Sequence, residues 1–142
     1  MAFMQCCRGM PEISVGSMGG SDMNRRTGED NRRQGIKAER IAERHLRSIG
    51  YRLLRRNLHV GGSEIDLLMK DRRTRELIVI EVKSSRLGEH RAMSSLNARK
   101  RSRIARAVRG LQRLGLDGEQ GIRVEAILID LSGRRPGIRH LR

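Results

Sequence analysis

The chain has 142 residues, enough for one compact domain with a hydrophobic core and too few for two domains of ordinary size. Its 31 basic and 16 acidic side chains leave a net charge of +15, which favours a polyanionic partner, with nucleic acid first. Arginine accounts for 27 of the basic residues, a bias that a GC-rich genome could also produce, although genome bias does not explain the excess of base over acid. One tyrosine and one phenylalanine give little support for base stacking on aromatic rings, so the phosphate backbone is the expected target.

The sequence carries no signal for export or for a membrane. Cys6 and Cys7 are adjacent in a stretch without a folding pattern, so they indicate neither a disulfide framework nor a zinc site. The first residues lack a basic region followed by an apolar run, and no segment approaches the roughly 18 apolar residues of a membrane span. We therefore expect a cytoplasmic protein without a membrane partner.

The first third of the chain divides into a flexible segment and a helix. Residues 1–34 are rich in Gly, Ser, Met, Asn and Arg without periodicity, which predicts a disordered N-terminal extension before a folded domain at 35–142. From Ile36 to Ile49, apolar residues recur at helical spacing with arginines on the other side, and Gly50 ends the pattern. This pattern predicts an amphipathic helix at the start of the domain.

The remainder of the chain alternates between strand and helix patterns. A second helical pattern places apolar residues on one face and a dense array of Arg and Lys on the other, over residues 96–114. Strands are predicted from apolar and β-branched runs at 51–60, 64–70, 76–84, 122–131 and 137–142. The order of helix, three strands, helix and strands predicts an α/β fold, with a mixed β-sheet flanked by helices.

Ionisable residues interrupt the apolar hairpin SEIDLLMKDRRTRELIVIEVKSS at 63–85. If its turn is centred between Arg73 and Thr74, antiparallel pairing puts Asp66 directly across from Glu81. Directly opposed residues have Cβ atoms about 5 Å apart, so both carboxylates could reach one ion. Two ionised carboxylates at that distance repel each other, and a divalent cation between them, Mg²⁺ or Mn²⁺, would relieve the repulsion.

The same register places Glu64 across from Lys83, on the face that carries the two acids. A bound divalent ion would activate a water and polarise a phosphate, and Lys83 would add a compact positive charge beside the reacting groups. The competing interpretation is a salt bridge between Glu64 and Lys83 on a solvated face, worth under about 1 kcal/mol. The residues alone leave both interpretations open.

Asp66 followed by the EVK of residues 81–83 resembles the PD-(D/E)XK motif of restriction-endonuclease-like nucleases, with Ile65 in place of proline. More closely, residues 35–130 resemble the YraN-like family of small bacterial proteins, which are assigned that nuclease-like fold and whose function is poorly defined. The matching stretches are AERIAERHL, GYRLLRRN, SEIDLL, VIEVKSS and ARKRSRIARA. They occur in order and cover most of the predicted domain.

The resemblance implies Asp66 and Glu81 as metal ligands, and both of them with Lys83 as catalytic residues. Glu39 matches an acid that nuclease-like folds use as a further metal ligand, although its place in the first helix also suits an exposed acid favoured by the helix dipole. Lys100 matches a lysine ahead of the second helix that could contact phosphate, or it is one charge on a solvated face. The expected nucleic-acid-binding residues of this helix are Lys100, Arg101, Arg103 and Arg106.

Residues and resemblance together predict a Mg²⁺- or Mn²⁺-dependent nuclease that hydrolyses phosphodiester bonds of DNA, with branched or damaged DNA in repair or recombination as the expected context. The alternative is a basic DNA- or RNA-binding module that keeps the fold and does not turn over. Many nuclease-like domains act as dimers to reach both strands, so a homodimer is left open, although the sequence displays no interface.

Overall fold

The structure is a computed structural model that describes residues 22–88 and 98–142, with side chains described from residue 28 and from residue 99 in the two parts. The N-terminal residues 1–21 and the expected start of the second helix at residue 96 lie outside this part. The described elements are α1 (Asp22–Ser48), β1 (Tyr51–Val60), β2 (Ser63–Asp71), β3 (Leu77–Ser85), α2 (Ala98–Arg113), β4 (Ile122–Asp130) and β5 (Gly137–Leu141). Their order is the predicted one.

The five strands form one mixed sheet in the order β1, β2, β3, β4, β5. Neighbouring strands are antiparallel except β3 and β4, which are parallel and are connected through the segment that contains α2. A parallel pair needs such a long crossover, because a short turn can only reverse the chain direction. The predicted α/β fold with a mixed sheet flanked by helices is confirmed.

Helix α1 covers one face of the sheet. Its apolar stripe packs on side chains that point to that face from β1 to β4, and together they form what we call the α1-side core. The buried members are Ala38, Ile41, Ala42, Leu46, Tyr51, Leu67, Met69, Ile78, Ile80, Val82, Ile127 and Ile129. Burial of each large apolar side chain contributes about 1.5–3 kcal/mol relative to exposure.

Helix α2 covers the opposite face and forms the α2-side core. Its buried members are Val60, Ile65, Leu68, Leu77, Val79, Ala107 and Leu111. Because helices cover both faces, β3 is buried on both sides, which explains why its sequence begins with an unbroken apolar run. The exposed side of α2 keeps its arginines in solvent.

Helix α1 begins earlier than its apolar pattern predicts. It starts at Asp22, whereas the pattern begins at Ile36, so residues of the expected flexible extension up to position 34 are helical. This part has no apolar stripe to reveal it, and the ion pair between Glu29 and Arg33 one turn apart, at 2.6 Å, supports it locally. In the described part of the chain, neither helix has an apolar stretch that could cross a membrane.

The position of α2 over the sheet depends on two glycines. A Cβ atom on Gly110 would lie 2.8 Å from the backbone nitrogen of Gly61, and one on Gly61 would lie 2.5 Å from the carbonyl oxygen of Arg106. Gly61 also has a φ of 60°, which side chains disfavour. The turn between β1 and β2 therefore touches the backbone of α2 directly, and this contact fixes how closely the helix approaches the sheet.

We expect Gly110→Ala to lower the free energy of unfolding by about 1–2 kcal/mol, because the overpacking cost of about 1–3 kcal/mol exceeds the helix-propensity gain of up to about 1 kcal/mol. Gly35→Ala is the matched control, since Gly35 is also inside a helix and a methyl group added to it would meet no atom within 4 Å. It should raise stability by about 0.5–1 kcal/mol. Urea unfolding followed by circular dichroism measures both, and a stabilised Gly110→Ala protein would contradict the close contact.

Candidate functional site

The register of the central hairpin is the one expected from its turn. The ladder between β2 and β3 ends with the pair Leu67 and Ile80, which makes Asp66 and Glu81 the next opposed residues. They do not continue the ladder. Instead, the backbone N–H of Val82 donates a 2.7 Å hydrogen bond to Oδ2 of Asp66. The two strands therefore diverge at Asp66, and its side chain occupies the opening.

A local distortion of the neighbouring strand accompanies this divergence. Asn57 lies opposite Asp66 on β1 and has a φ of 48°, which is uncommon for a residue with a side chain. Side-chain alternation is interrupted at the same point, because Leu67 belongs to the α1-side core whereas Ile65, two residues earlier, belongs to the α2-side core. Such irregularities re-aim side chains beside functional sites.

Glu81, which is buried, and Asp66, which is half-buried, form what we call the acidic pair. Burial first, and then the negative charge of Glu81, raise the pKa of Asp66 to about 7, against the lowering effects of the Val82 N–H and of Lys83. Burial also raises the pKa of Glu81 above its ordinary value, although Lys83 opposes the shift. Burial is the main cause of both shifts, and the negative charge of Glu81 adds to the shift at Asp66. The pair therefore has a strong requirement for positive charge.

Two lysines approach the same oxygen of this pair. Nζ of Lys83 lies 2.8 Å from Oε1 of Glu81, and Nζ of Lys100, from the first turn of α2, also forms an ion pair with Oε1. Neither contact has the angles of a hydrogen bond, so the buried Oε1 accepts no well-directed hydrogen bond from a described residue. The structure thus brings together Asp66, Glu81, Lys83 and Lys100.

Glu64 does not join this group. It pairs with His59 on β1, and its carboxylate lies 3.9 Å from Nε2 of that histidine. The salt bridge between Glu64 and Lys83, which was the competing interpretation, is therefore not formed, because the divergence of β2 from β3 at Asp66 carries Glu64 away from β3. The partner of Lys83 is Glu81, which is 4% exposed.

The donor set suits a hard divalent cation. Asp66 and Glu81 would be its carboxylate ligands, and the ion would take over contacts with Oε1 of Glu81 that the two ammonium groups now make. Within the described side chains, no group of three or more His, Cys, Asp and Glu could hold a metal ion. Two carboxylates are enough for Mg²⁺, which commonly takes its other ligands from water and substrate phosphates.

Glu39 lies near this pair without completing it. Its charge contributes to raising the pKa of Asp66, which places it within electrostatic range of that carboxylate. Burial raises the pKa of Glu39 itself, and a hydrogen bond from the Asn57 side chain opposes the shift. Its expected role as a third ligand therefore remains a prediction, with Asn57 as its present partner.

The basic residues of α2 divide into two groups. Lys100 is half-buried and contacts Glu81, so it lies closer to the acidic pair than its sequence position alone suggested. Arg101, Arg103 and Arg106 are exposed on the solvent side of the helix. Of these, Arg103 is near enough to oppose the raised pKa of Glu81. The helix therefore presents a cationic surface that begins at the acidic pair.

Comparison with known proteins assigns the chain to a family. The sequence model of the uncharacterised protein family UPF0102 matches residues 38–129. The chain belongs to this family. It is 41% identical over 87 residues to a UPF0102 protein of Nitrosococcus oceani, covering 60% of this chain and 68% of the relative. With a UPF0102 protein of Synechococcus sp. it shares 37% identity over 112 residues, covering 76% and 90% of the two chains.

A UPF0102 protein of Sorangium cellulosum is 35% identical over 95 residues, a match that spans 58% of this chain and 65% of the relative. These matches confirm the expected YraN-like family. The family name assigns no activity, so the chemistry of the site must be argued from its residues. The matched segment contains α2 and the acidic pair.

A second buried polar cluster was not expected from the sequence. Both oxygens of Glu125, which is 2% exposed, accept from the hydroxyl of Tyr51, at 3.0 and 3.2 Å. Arg123 Nε donates to Oε1 at 2.7 Å, and Nε2 of His140 lies 2.6 Å from Oε2. The only sequence signal was an acid within an apolar strand. Its partners come from β1, β4 and β5, so the cluster ties the last strand to the first.

Removing the charge of Asp66 should stabilise the metal-free protein at alkaline pH. Because folding raises this pKa from about 4 to about 7, the folded state favours the protonated form, and the free energy of unfolding falls as pH rises through that interval. The loss for the wild type is up to about 4 kcal/mol. Asp66→Asn should be more stable than the wild type at pH 8, with little difference at pH 4.

The measurement is urea unfolding with a chelator present, at several pH values. Asp130→Asn is the matched control, because hydrogen bonds from Ser132 lower the pKa of Asp130 and its charge therefore favours the folded state. This control should not gain stability at pH 8. Equal pH profiles for the wild type and Asp66→Asn would show that the Asp66 carboxyl is not held in a charge-disfavouring site.

Proposed function

We propose that this protein is a divalent-metal-dependent nuclease that hydrolyses phosphodiester bonds of DNA. The observation that carries the proposal is the acidic pair at the divergence of two strands, with buried Glu81, half-buried Asp66 and Lys83 in contact with Glu81. Buried carboxylates with raised pKa values in an ion-pair cluster are uncommon in a purely structural sheet, because the same positions could be apolar.

Each side chain has a separable role in this reaction. Asp66 is oriented by the Val82 N–H, and Glu81 reaches the same space from the opposite strand, so the two carboxylates converge without a flexible loop. The Mg²⁺ or Mn²⁺ ion would supply Lewis acidity and lower the pKa of a bound water. Lys83 would stabilise negative charge on the phosphoryl oxygens through its ammonium group, which is 2.8 Å from Glu81 before substrate arrives.

The surroundings of the pair suit a nucleic-acid substrate. The exposed side of α2 supplies Arg101, Arg103 and Arg106, and the chain has a net charge of +15. Such a surface attracts a phosphate backbone and releases its counterions. Lys100 extends this surface to the acidic pair. Branched or damaged DNA, in which the backbone is more accessible than in a regular duplex, is the substrate we would test first.

A second function is favoured by one specific observation. Lys83 and Lys100 already neutralise Glu81 by direct ion pairs, so the charge of the pair is partly balanced without a metal. A basic DNA- or RNA-binding module would need only this internal balance and the arginines of α2. In that case the acidic pair would hold α2 against β3 and would not take part in hydrolysis.

The decisive experiment is cleavage of supercoiled plasmid and of branched DNA with Mg²⁺ or Mn²⁺. We expect wild-type cleavage that a chelator stops, and a loss of at least about 100-fold in Asp66→Asn and in Lys83→Met. Binding measured in chelator should stay within about threefold of the wild type for both variants, because the phosphate contacts of α2 remain.

Lys70→Met is the matched control for Lys83→Met. Lys70 is also a sheet lysine with a carboxylate partner, Glu119 at 3.0 Å, and its removal changes the net charge equally. Its activity should remain close to that of the wild type. Tight binding without cleavage of any substrate by the wild type would reject the nuclease and support the binding module.

A further inference from the structure

A second basic site lies at the other end of the sheet. A groove of about 530 Å³ is formed where the end of α1, the turn between β2 and β3, the start of β4 and the last described residue converge. Four arginines and one aspartate are among its lining residues, which are Ile49, Gly50, Tyr51, Asp71, Arg72, Arg73, Arg123 and Arg142. A smaller groove of about 190 Å³ shares Tyr51 and Arg72 with it and adds further arginines.

At the back of the groove, Arg123 is surrounded by three carboxylates. Arg123 donates to Glu125 at 2.7 Å, contacts Asp71 at 3.3 Å and also pairs with Glu76. These bonds hold the guanidinium in place, and the carboxylates offset its positive charge. The hydroxyl of Tyr51 accepts from Arg123 at 3.0 Å, so the wall is rigid and polar.

The front of the groove is not neutralised. Arg72 and Arg73 are exposed, and neither forms an ion pair with any carboxylate in the part of the chain that the structure describes. Their backbones are fixed, because Arg72 N–H donates to the Gly50 carbonyl at 3.4 Å and Arg73 N–H donates to Asp71 Oδ1 at 2.8 Å. The turn thus presents adjacent guanidinium groups from a defined backbone.

From this geometry we propose that the groove binds phosphate oxyanions through Arg72 and Arg73. Four of the five charged side chains that line the groove are arginines, and a concave site in which positive charge predominates favours an anionic ligand, whereas arginines on a convex surface can spread apart in solvent. Guanidinium groups match phosphate oxygens in pairs, and the fixed backbone reduces the entropy that binding costs. The lining is polar, which does not suit an apolar ligand.

This site is separate from the acidic pair. Asp71 is five residues beyond Asp66 on β2, which corresponds to about 17 Å along the strand. Tyr51 also points to the face covered by α1, whereas Lys100 of α2 reaches Glu81 from the opposite face. If the groove binds phosphates of a nucleic acid, these phosphates belong to a different segment of that nucleic acid from the one that would bind at Glu81. The proposal does not require hydrolysis at the acidic pair.

The chain offers a specific probe, because Tyr51 is its only tyrosine and lines the groove. The full chain is labelled with fluorotyrosine, and its single fluorine NMR signal is followed during titration with pyrophosphate in a chelating buffer. We expect a saturable shift, and an apparent affinity at least about tenfold weaker in the Arg72→Gln and Arg73→Gln double variant. These changes keep the backbone bonds of both residues.

The matched control is the double variant Arg134→Gln and Arg135→Gln, an exposed pair between β4 and β5 with the same change in charge. Its affinity for pyrophosphate should change by less than about twofold, because its charges lie beyond the groove. A shift that does not saturate, or equal weakening by both double variants, would overturn the proposal. Asp66→Asn should bind pyrophosphate with the affinity of the wild type. A failure of the nuclease proposal can therefore be distinguished from a failure of the phosphate-site proposal.

A further titration identifies the source of the phosphate. Duplex DNA that moves the same fluorine signal and competes with pyrophosphate assigns the groove to a nucleic-acid backbone. In that case, the slope of the logarithm of the DNA-binding constant against the logarithm of the salt concentration should be less steep in the Arg72→Gln and Arg73→Gln double variant. The expected change is about 1.8, or about 0.9 for each lost phosphate contact. A signal moved by pyrophosphate and unaffected by bound DNA assigns the groove to a small phosphate compound.

Discussion

The structure depends on how two carboxylates are kept together in a buried site. Asp66 and Glu81 are opposed across a hairpin beside the apolar pair Leu67 and Ile80, and burial raises the pKa of both. Three surrounding groups offset the free-energy cost of placing the two carboxylates together. The backbone N–H of Val82 donates a hydrogen bond to Asp66, and the ammonium groups of Lys83 on β3 and Lys100 on α2 form ion pairs with Glu81. The second ammonium belongs to Lys100, in the first turn of α2, the helix whose Gly110 packs against the β1–β2 turn.

Much of this arrangement could be predicted from the sequence because it depends on short-range rules. A turn centred between Arg73 and Thr74 fixes the register of the hairpin, and side-chain alternation then brings Asp66 and Glu81 together. The separation of β2 from β3 could not be predicted, since it involves the backbone of a third strand at Asn57. The contact of Lys100 with Glu81 could not be predicted either, because it depends on how the long connection between β3 and β4 packs against the sheet.

The cluster around Glu125 was missed for a related reason. Periodicity indicates which face a side chain occupies and not which distant residues share that face. Tyr51 and His140 are far apart in the sequence and belong to the two edge strands, β1 and β5, yet both contact Glu125 of β4. The start of α1 was missed because its early turns have no apolar stripe and are supported by local ion pairing such as Glu29 with Arg33.

The choice of cation at the acidic pair bears on how the site would work. The chain has 27 arginines and four lysines, yet two of the four lysines converge on one oxygen of Glu81. Arginine would bind a carboxylate with two parallel hydrogen bonds and hold it firmly, whereas lysine is a point charge on a flexible stem. Each lysine could turn toward a phosphate without breaking a paired set of hydrogen bonds once another cation takes over Glu81. Arginine would suit a permanent ion pair better. The two lysines therefore indicate a site whose ion pairs are exchanged when metal and phosphate bind.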